Sequence, residues 1–192
     1  MAAARKKKVG VLALQGDFEA HKQALERAGA EGVEVRSAAD LQKVDGLVIP
    51  GGESSTMLKL IDAEGLLEPL REFGRTHPIF GTCAGAILLA SAVSHPVQPC
   101  LGLMDIDVER NAYGRQLDSR IAHLQLEGQG GELEAVFIRA PIIRRVGDKV
   151  KVLARYQNTP VLVEQGRHLV ATFHPELTGD PSVHLIFLDK IS

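Results

Sequence analysis

The sequence predicts a three-layer α/β fold: an open mixed sheet, mostly parallel at its core, extended by antiparallel strands and covered by helices. Two observations carry this expectation. In the first half, short apolar runs alternate with stretches of helical spacing, as in a parallel sheet with helices on both faces. In the second half, short β-type runs follow one another with little helix between them, as in an antiparallel extension.

Val9 to Leu14 is an apolar run ending at Gly16, and from Asp17 onward Phe18, His21, Leu25 and Ala28 recur at helical spacing until Gly29. Val33 to Arg36 reads as a second strand and Leu47-Val48-Ile49 as a third, stopped by Pro50-Gly51-Gly52. Ser54 and Ser55 are placed to cap a helix through Met57, Leu58 and Ile61, and another helical stretch runs from Leu66 to Phe73. Pro78-Ile79-Phe80 enters a strand that turns at Gly81-Thr82-Cys83-Ala84-Gly85 into the helical Ala86 to Ser91. Further β-type runs lie at Leu103 to Val108, Ile121 to Leu126, Leu133 to Ile138, Val150 to Tyr156, Val161 to Glu164 and His168 to Phe173. Ser182 to Ile191 closes the chain as an amphipathic helix with Val183, Ile186, Phe187 and Ile191 inward.

A chain of 192 residues that is 45% hydrophobic is expected to form one domain spanning 1–192, with residues 1–8 as a flexible N-terminal extension. The net charge of −2, from 22 basic and 24 acidic residues, offers no general attraction to nucleic acid or an anionic membrane. Arg5-Lys6-Lys7-Lys8 reads as a solvated lead-in, no signal-type apolar region follows it, and no stretch is long enough to span a bilayer. The expectation is a soluble, cytoplasmic protein. Cys83 and Cys100 are too few for a disulfide framework and lack zinc-ligand spacing. Nothing requires a bound metal or other cofactor.

Gly81-x-Cys83-x-Gly85 at the end of a strand fits a nucleophile elbow, a sharp strand-to-helix turn that lifts the thiol above the sheet. The helix N-terminus there favours thiolate, the attacking form. A structural cysteine beside packing glycines fits the same five residues. Cys100, between Pro99 and Gly102, reads as a small packing residue. A thiol nucleophile needs a base, and the base needs an orienting group. His174 ends an apolar strand and is followed by Pro175 and Glu176, which puts imidazole and carboxylate together at the strand edge where Cys83 should lie. Pro50-Gly51-Gly52-Glu53-Ser54 also follows a strand; the amides of Gly52 and Ala84 are candidates to hold an oxyanion. A phosphate-binding loop is the competing idea for this segment, but Glu53 opposes it and no Gly-Lys-Ser/Thr ending is present.

Gly-Gly-Glu-Ser at 51 to 54, Gly-Thr-Cys-Ala-Gly at 81 to 85 and His-Pro-Glu at 174 to 176, in that order, resemble the class I, triad-type glutamine amidotransferases. Val11 to Phe18, Glu109-Arg110-Asn111-Ala112-Tyr113-Gly114-Arg115-Gln116 and Phe137-Ile138-Arg139-Ala140-Pro141 narrow the resemblance to the glutaminase subunits of pyridoxal 5'-phosphate synthases. It runs from about Val9 to the C-terminal helix. The resemblance implies a class I amidotransferase fold, with Cys83 as nucleophile and His174 and Glu176 completing the triad. It also implies that Gly51, Gly52, Glu53, Arg110, Ile138 and Arg139 contact glutamine. A guanidinium suits the α-carboxylate, but Arg110 and Arg139 are equally eligible, and either fits a structural ion pair. The implied partner is a synthase subunit, in a large complex with many copies of each, that builds pyridoxal 5'-phosphate with the released ammonia. Another pathway's amidotransferase subunit, a γ-glutamyl hydrolase and a non-catalytic binding module are the alternatives; the first two should lack the arginine and Phe-Ile-Arg-Ala-Pro segments.

Overall fold

The computed structural model describes residues 5–112, 119–128 and 130–192. Its first half alternates as read: β1 (Lys8–Leu12), α1 (Phe18–Arg27), β2 (Glu31–Val35), α2 (Ala38–Leu41), β3 (Gly46–Ile49), α3 (Ser54–Ala63), α4 (Leu67–Thr76), β4 (Ile79–Thr82) and α5 (Ala84–Leu89). The second half holds β5 (Ala92–Ser94), β6 (Ile106–Glu109), β7 (Ser119–Gln125), β8 (Glu132–Ile138), β9 (Ile142–Val146), β10 (Lys151–Tyr156), β11 (Thr159–Gln165) and β12 (His168–Ala171). A 3-10 turn at Pro175–Leu177 and α6 (Ser182–Leu188) follow.

The central sheet has 7 strands in the order β10-β11-β12-β4-β3-β1-β2. β12, β4, β3, β1 and β2 run parallel, and β11 and β10 extend the sheet antiparallel. Every residue of β3, β4 and β12 is buried, which is why these strands read as unbroken apolar runs rather than alternating ones. One face of the sheet packs on α3, α4 and α5 through Met57, Ile61, Leu70, Phe73 and Leu88. The other packs on α1 and α6 through Leu25, Val183 and Phe187.

Three readings need correction. β6, β7 and β8 do not extend the main sheet: β5-β6-β9 form a separate three-stranded sheet, and β7-β8 a two-stranded ribbon. The reason lies in their burial. Along β8, Leu133, Ala135 and Phe137 are buried while their neighbours are not, so the ribbon lays one face over the core instead of being covered on both. Second, α3 is capped by Glu53, whose carboxylate accepts from the amides of Ser55 and Thr56, so Ser54 is already helical. Third, α6 ends at Leu188, short of Ile191: Val183, Phe187 and Ile191 are buried and Ile186 packs half-buried against the same core as read, but His184 and Leu188 turn inward with them.

At the N-terminus, Lys8 opens β1 opposite Glu31, and Lys7 Nζ donates to the Leu188 carbonyl at 2.7 Å. Among the described residues, no helix is long and apolar enough to cross a membrane.

Candidate active site

Parallel neighbours β12, β4, β3 and β1 end on one edge of the sheet, where the chain continues into His174, Cys83, Gly51-Gly52 and Gln15 respectively. Strand order therefore sets the order of these groups across the edge.

Cys83 occupies φ 49° and ψ −104°, a conformation that strains an L-residue by about 1–3 kcal/mol. Its N–H donates to Ala171 O at 2.9 Å, and its carbonyl accepts from Ala86 N at 3.1 Å, so β12 and α5 hold the turn from both sides. The strain sits on the cysteine itself, while the flanking glycines serve close approach. A Cβ on Gly85 would lie 2.1 Å from Ile49 O, and one on Gly81 would lie 2.5 Å from Gly85 O. Gly85→Ala is therefore expected to destabilise the fold by about 3 kcal/mol, the upper range for overpacking, because a backbone oxygen cannot yield as a flexible side chain does. The urea midpoint measures this; an unchanged midpoint would contradict the close approach.

His174 is fixed at two points. Its backbone N–H donates to Val136 O of β8 at 2.8 Å, and its Nδ1–H donates to Glu176 Oε1 at 2.7 Å. Pro175 starts the short 3-10 turn that brings Glu176 back under the ring, where the carboxylate is 1% exposed. Burial opposes charge on His174, but hydrogen bonds with Cys83 and Glu176, and the charges of both, outweigh it and raise the imidazole to about 10. Burial likewise works against the Glu176 carboxylate, yet His21 and His174 keep it below the ordinary range. With Nδ1 on Glu176, Nε2 is the nitrogen left for proton exchange at Cys83.

Gly52, Glu53, Cys83, Ala84, Arg110, Ile138, Arg139 and His174 line one cleft of about 390 Å³. Gly51 is buried against two of these residues: a Cβ there would come within 2.6 Å of His174 Cε1 and 3.3 Å of Cys83 Cβ. Glu176 lies behind the imidazole. Among the described residues, neither the Gly52 nor the Ala84 amide donates to a backbone carbonyl. Glu53 faces two ways. Burial pushes its carboxyl up, but hydrogen bonds from Thr56 and Ser55 hold it at about 2. It also accepts from Arg110 Nη2 at 3.2 Å. Arg110 is buried, and its guanidinium is further held by Ser55 Oγ at 2.8 Å and by Gln98 Oε1. Arg139 is exposed at φ 47°, on the cleft wall just past β8. Cys83 and Cys100 are both free thiols. Tyr113 to Gln116 of the arginine segment lie outside the described residues.

Two contributors were not singled out in the sequence. Gln15 reaches across from β1, and its Oε1 accepts from the Glu53 amide at 3.1 Å, pinning the glycine loop. The signal was its position directly past an apolar strand. His21, read as one more inward position of α1, lies 3.3 Å from Glu176 Oε2.

The sequence profile of the SNO glutamine amidotransferase family matches residues 11–192. The chain is similar to the pyridoxal 5'-phosphate synthase subunit PdxT of Solibacter usitatus, 63% identical over 191 residues that cover 96% of this chain and 100% of the relative. To the subunit of the same name from Thermus thermophilus it is 54% identical over 185 residues, 94% of this chain and 96% of the relative. Among solved structures, one described as a glutamine amidotransferase superposes with a TM-score of 0.90 at 49% identity, covering 95% of this chain and 98% of its own. PurLQS from Thermotoga maritima shares the fold at a TM-score of 0.71 and 17% identity, covering 98% of this chain and 100% of its own.

Proposed function

Since the chain belongs to the SNO glutamine amidotransferase family and is a glutaminase subunit of pyridoxal 5'-phosphate synthase, we propose that its hydrolysis of glutamine runs through Cys83, His174 and Glu176. The observation that carries this assignment is the strained Cys83 turn standing beside an imidazole whose far nitrogen is bonded to a buried carboxylate.

The Cys83 thiolate attacks the side-chain amide carbon of glutamine, and the oxyanion is received by the amides of Gly52 and Ala84. His174 Nε2–H protonates the departing nitrogen, so ammonia leaves and a γ-glutamyl thioester remains. Water then gives a proton to His174 and its oxygen to the thioester, releasing glutamate and restoring the thiolate. Glu176 keeps the imidazole in the required tautomer and favours its charged form. Gly51, Gly52, Glu53, Arg110, Ile138 and Arg139 form the glutamine subsite. The exposed Arg139 suits the α-carboxylate, while Arg110, already tied to Glu53 and Gln98, holds the glycine loop in place.

The ammonia goes to a synthase partner and enters vitamin B6 biosynthesis. We place the two subunits in a large hetero-oligomer in the cytoplasm and treat residues 1–192 as one glutaminase domain. Free ammonia equilibrates with ammonium and escapes, so hydrolysis should await docking, with the oxyanion loop completing its geometry in the complex. Glutamate release by the purified chain is therefore expected to be weak alone and strongly stimulated by the synthase subunit. Equal turnover with and without it would refute that coupling.

A further inference from the structure

His21 is a fully buried polar side chain that the mechanism above leaves unused. It projects from α1 into the space behind Glu176, with the Phe80 ring edge-on to it at 85°. Its Nε2 lies 3.0 Å from Thr82 Oγ1 and 3.3 Å from Glu176 Oε2, and its Nδ1 lies 3.1 Å from His184 Nε2. One imidazole thus meets both the residue preceding Cys83 and the carboxylate that orients His174.

The proton positions on this pair follow from what surrounds it. Burial lowers both histidines, His184 to about 3, so each is neutral and carries one ring proton. With the His21 proton on Nδ1, the Nε2 lone pair would face the Glu176 carboxylate. His184 would then keep its own proton on Nδ1, a buried atom with no hydrogen-bond partner among the described residues. With the His21 proton on Nε2, His184 Nε2–H donates to His21 Nδ1, and the atom left without a partner is only a lone pair. The Nε2–H of His21 then donates to the Thr82 hydroxyl and also presents its positive end, 3.3 Å away, to Glu176 Oε2, an oxygen that among the described residues has no hydrogen bond of its own. The second arrangement removes a lone-pair repulsion and an orphaned donor together, so it is the energetically favoured one.

We infer that His21 is a positioning residue for the glutaminase reaction: its Nε2–H, oriented by His184, braces the second oxygen of Glu176 so that Oε1 stays on His174 Nδ1. The inference rests on reading His174 and Glu176 as the relay. An apolar side chain would fill this core position without desolvating an imidazole, which is the physical reason to look for a task beyond packing.

The test is glutamine hydrolysis by the complex with the synthase subunit, using His21→Leu and His21→Gln beside Cys83→Ala. Leucine keeps the apolar volume and removes the donor, whereas the glutamine side-chain amide reaches toward the position of Nε2. We expect folded, assembled His21→Leu to lose roughly 100-fold in kcat, the scale of a 1 Å misplacement at the reacting groups. KM for glutamine should be unchanged, and His21→Gln should recover much of the loss. Unaltered kcat in His21→Leu would overturn the proposal, as would equal losses in both variants that simply follow their melting temperatures. If His21→Leu does not fold, His184→Leu takes its place: it removes the group that sets the His21 tautomer, and unaltered kcat there overturns the proposal as well. An active Cys83→Ala would sink the relay reading itself, while an inactive Cys83→Ala beside a fully active His21→Leu would sink the brace alone.

Discussion

Cys83→Ala is expected to abolish glutamine hydrolysis in the assembled complex, with a loss of about 10⁶ in kcat, the scale seen when a covalent nucleophile is removed from a triad. The fold should survive. Cys83 is buried but small, and alanine keeps the Cβ at the same strained backbone position. Association with the synthase subunit should also survive, which separates lost chemistry from lost assembly. The measurement is single-turnover glutamate release at saturating glutamine. Detectable thioester or undiminished glutamate in the alanine variant would mean that another group attacks the amide.

Glu176→Gln should cost about 10⁴ in kcat, as amide substitution of a triad carboxylate does, because the ring then loses the partner that fixes its tautomer. This substitution also has a pH signature. The Glu176 charge and hydrogen bond are among the causes that lift His174 to about 10, so removing the charge must lower it. In the proposed relay His174 must be protonated to release ammonia, and the alkaline fall in kcat reports loss of that proton. In Glu176→Gln this fall should begin at lower pH than in the parent. An alkaline limb at the same pH in both proteins would show that Glu176 does not support the imidazolium.

The parallel core and the elbow were legible because both are local. Leu47-Val48-Ile49 and Pro78-Ile79-Phe80 are buried on both faces and read as unbroken apolar runs, and the Gly-x-Cys-x-Gly turn is a contiguous motif. The His-Pro-Glu group was equally visible as a base and a carboxylate at a strand's end. What escaped is non-local. The separation of β5-β6-β9 from the main sheet is set by the pairing of β6 with the distant β9, and that of the β7-β8 hairpin by where its buried face packs, neither of which a single strand's own sequence reveals. α2, β5 and β9, at Ala38–Leu41, Ala92–Ser94 and Ile142–Val146, are short elements that tertiary contacts select. Helical periodicity placed His21 on the inner face of α1 beside Leu25, which is where it lies. Periodicity has no means of telling an imidazole that fills space from one aimed at a carboxylate. Glu53 escaped as a cap for a different reason: serine is the stronger prior, but the chain leaving Gly52 starts the helix one residue early, and the longer carboxylate reaches two amides at once.

Arg110 enters the cleft from the end of β6, and Ile138 and Arg139 from the end of β8, while Cys83, His174 and the glycine loop all leave strands of the seven-stranded sheet. The molecule is thereby divided into a reaction engine and a faceplate packed against it through Leu133, Ala135 and Phe137. The engine tolerates little change, since its spacing is set by backbone contacts such as Gly85 against Ile49. The faceplate is a three-stranded sheet and a two-stranded ribbon, whose surfaces away from Arg110, Ile138 and Arg139 can change without altering a strand of the engine. A scaffold divided in this way can keep one ammonia-releasing reaction while its outer surface is refitted to different acceptor enzymes.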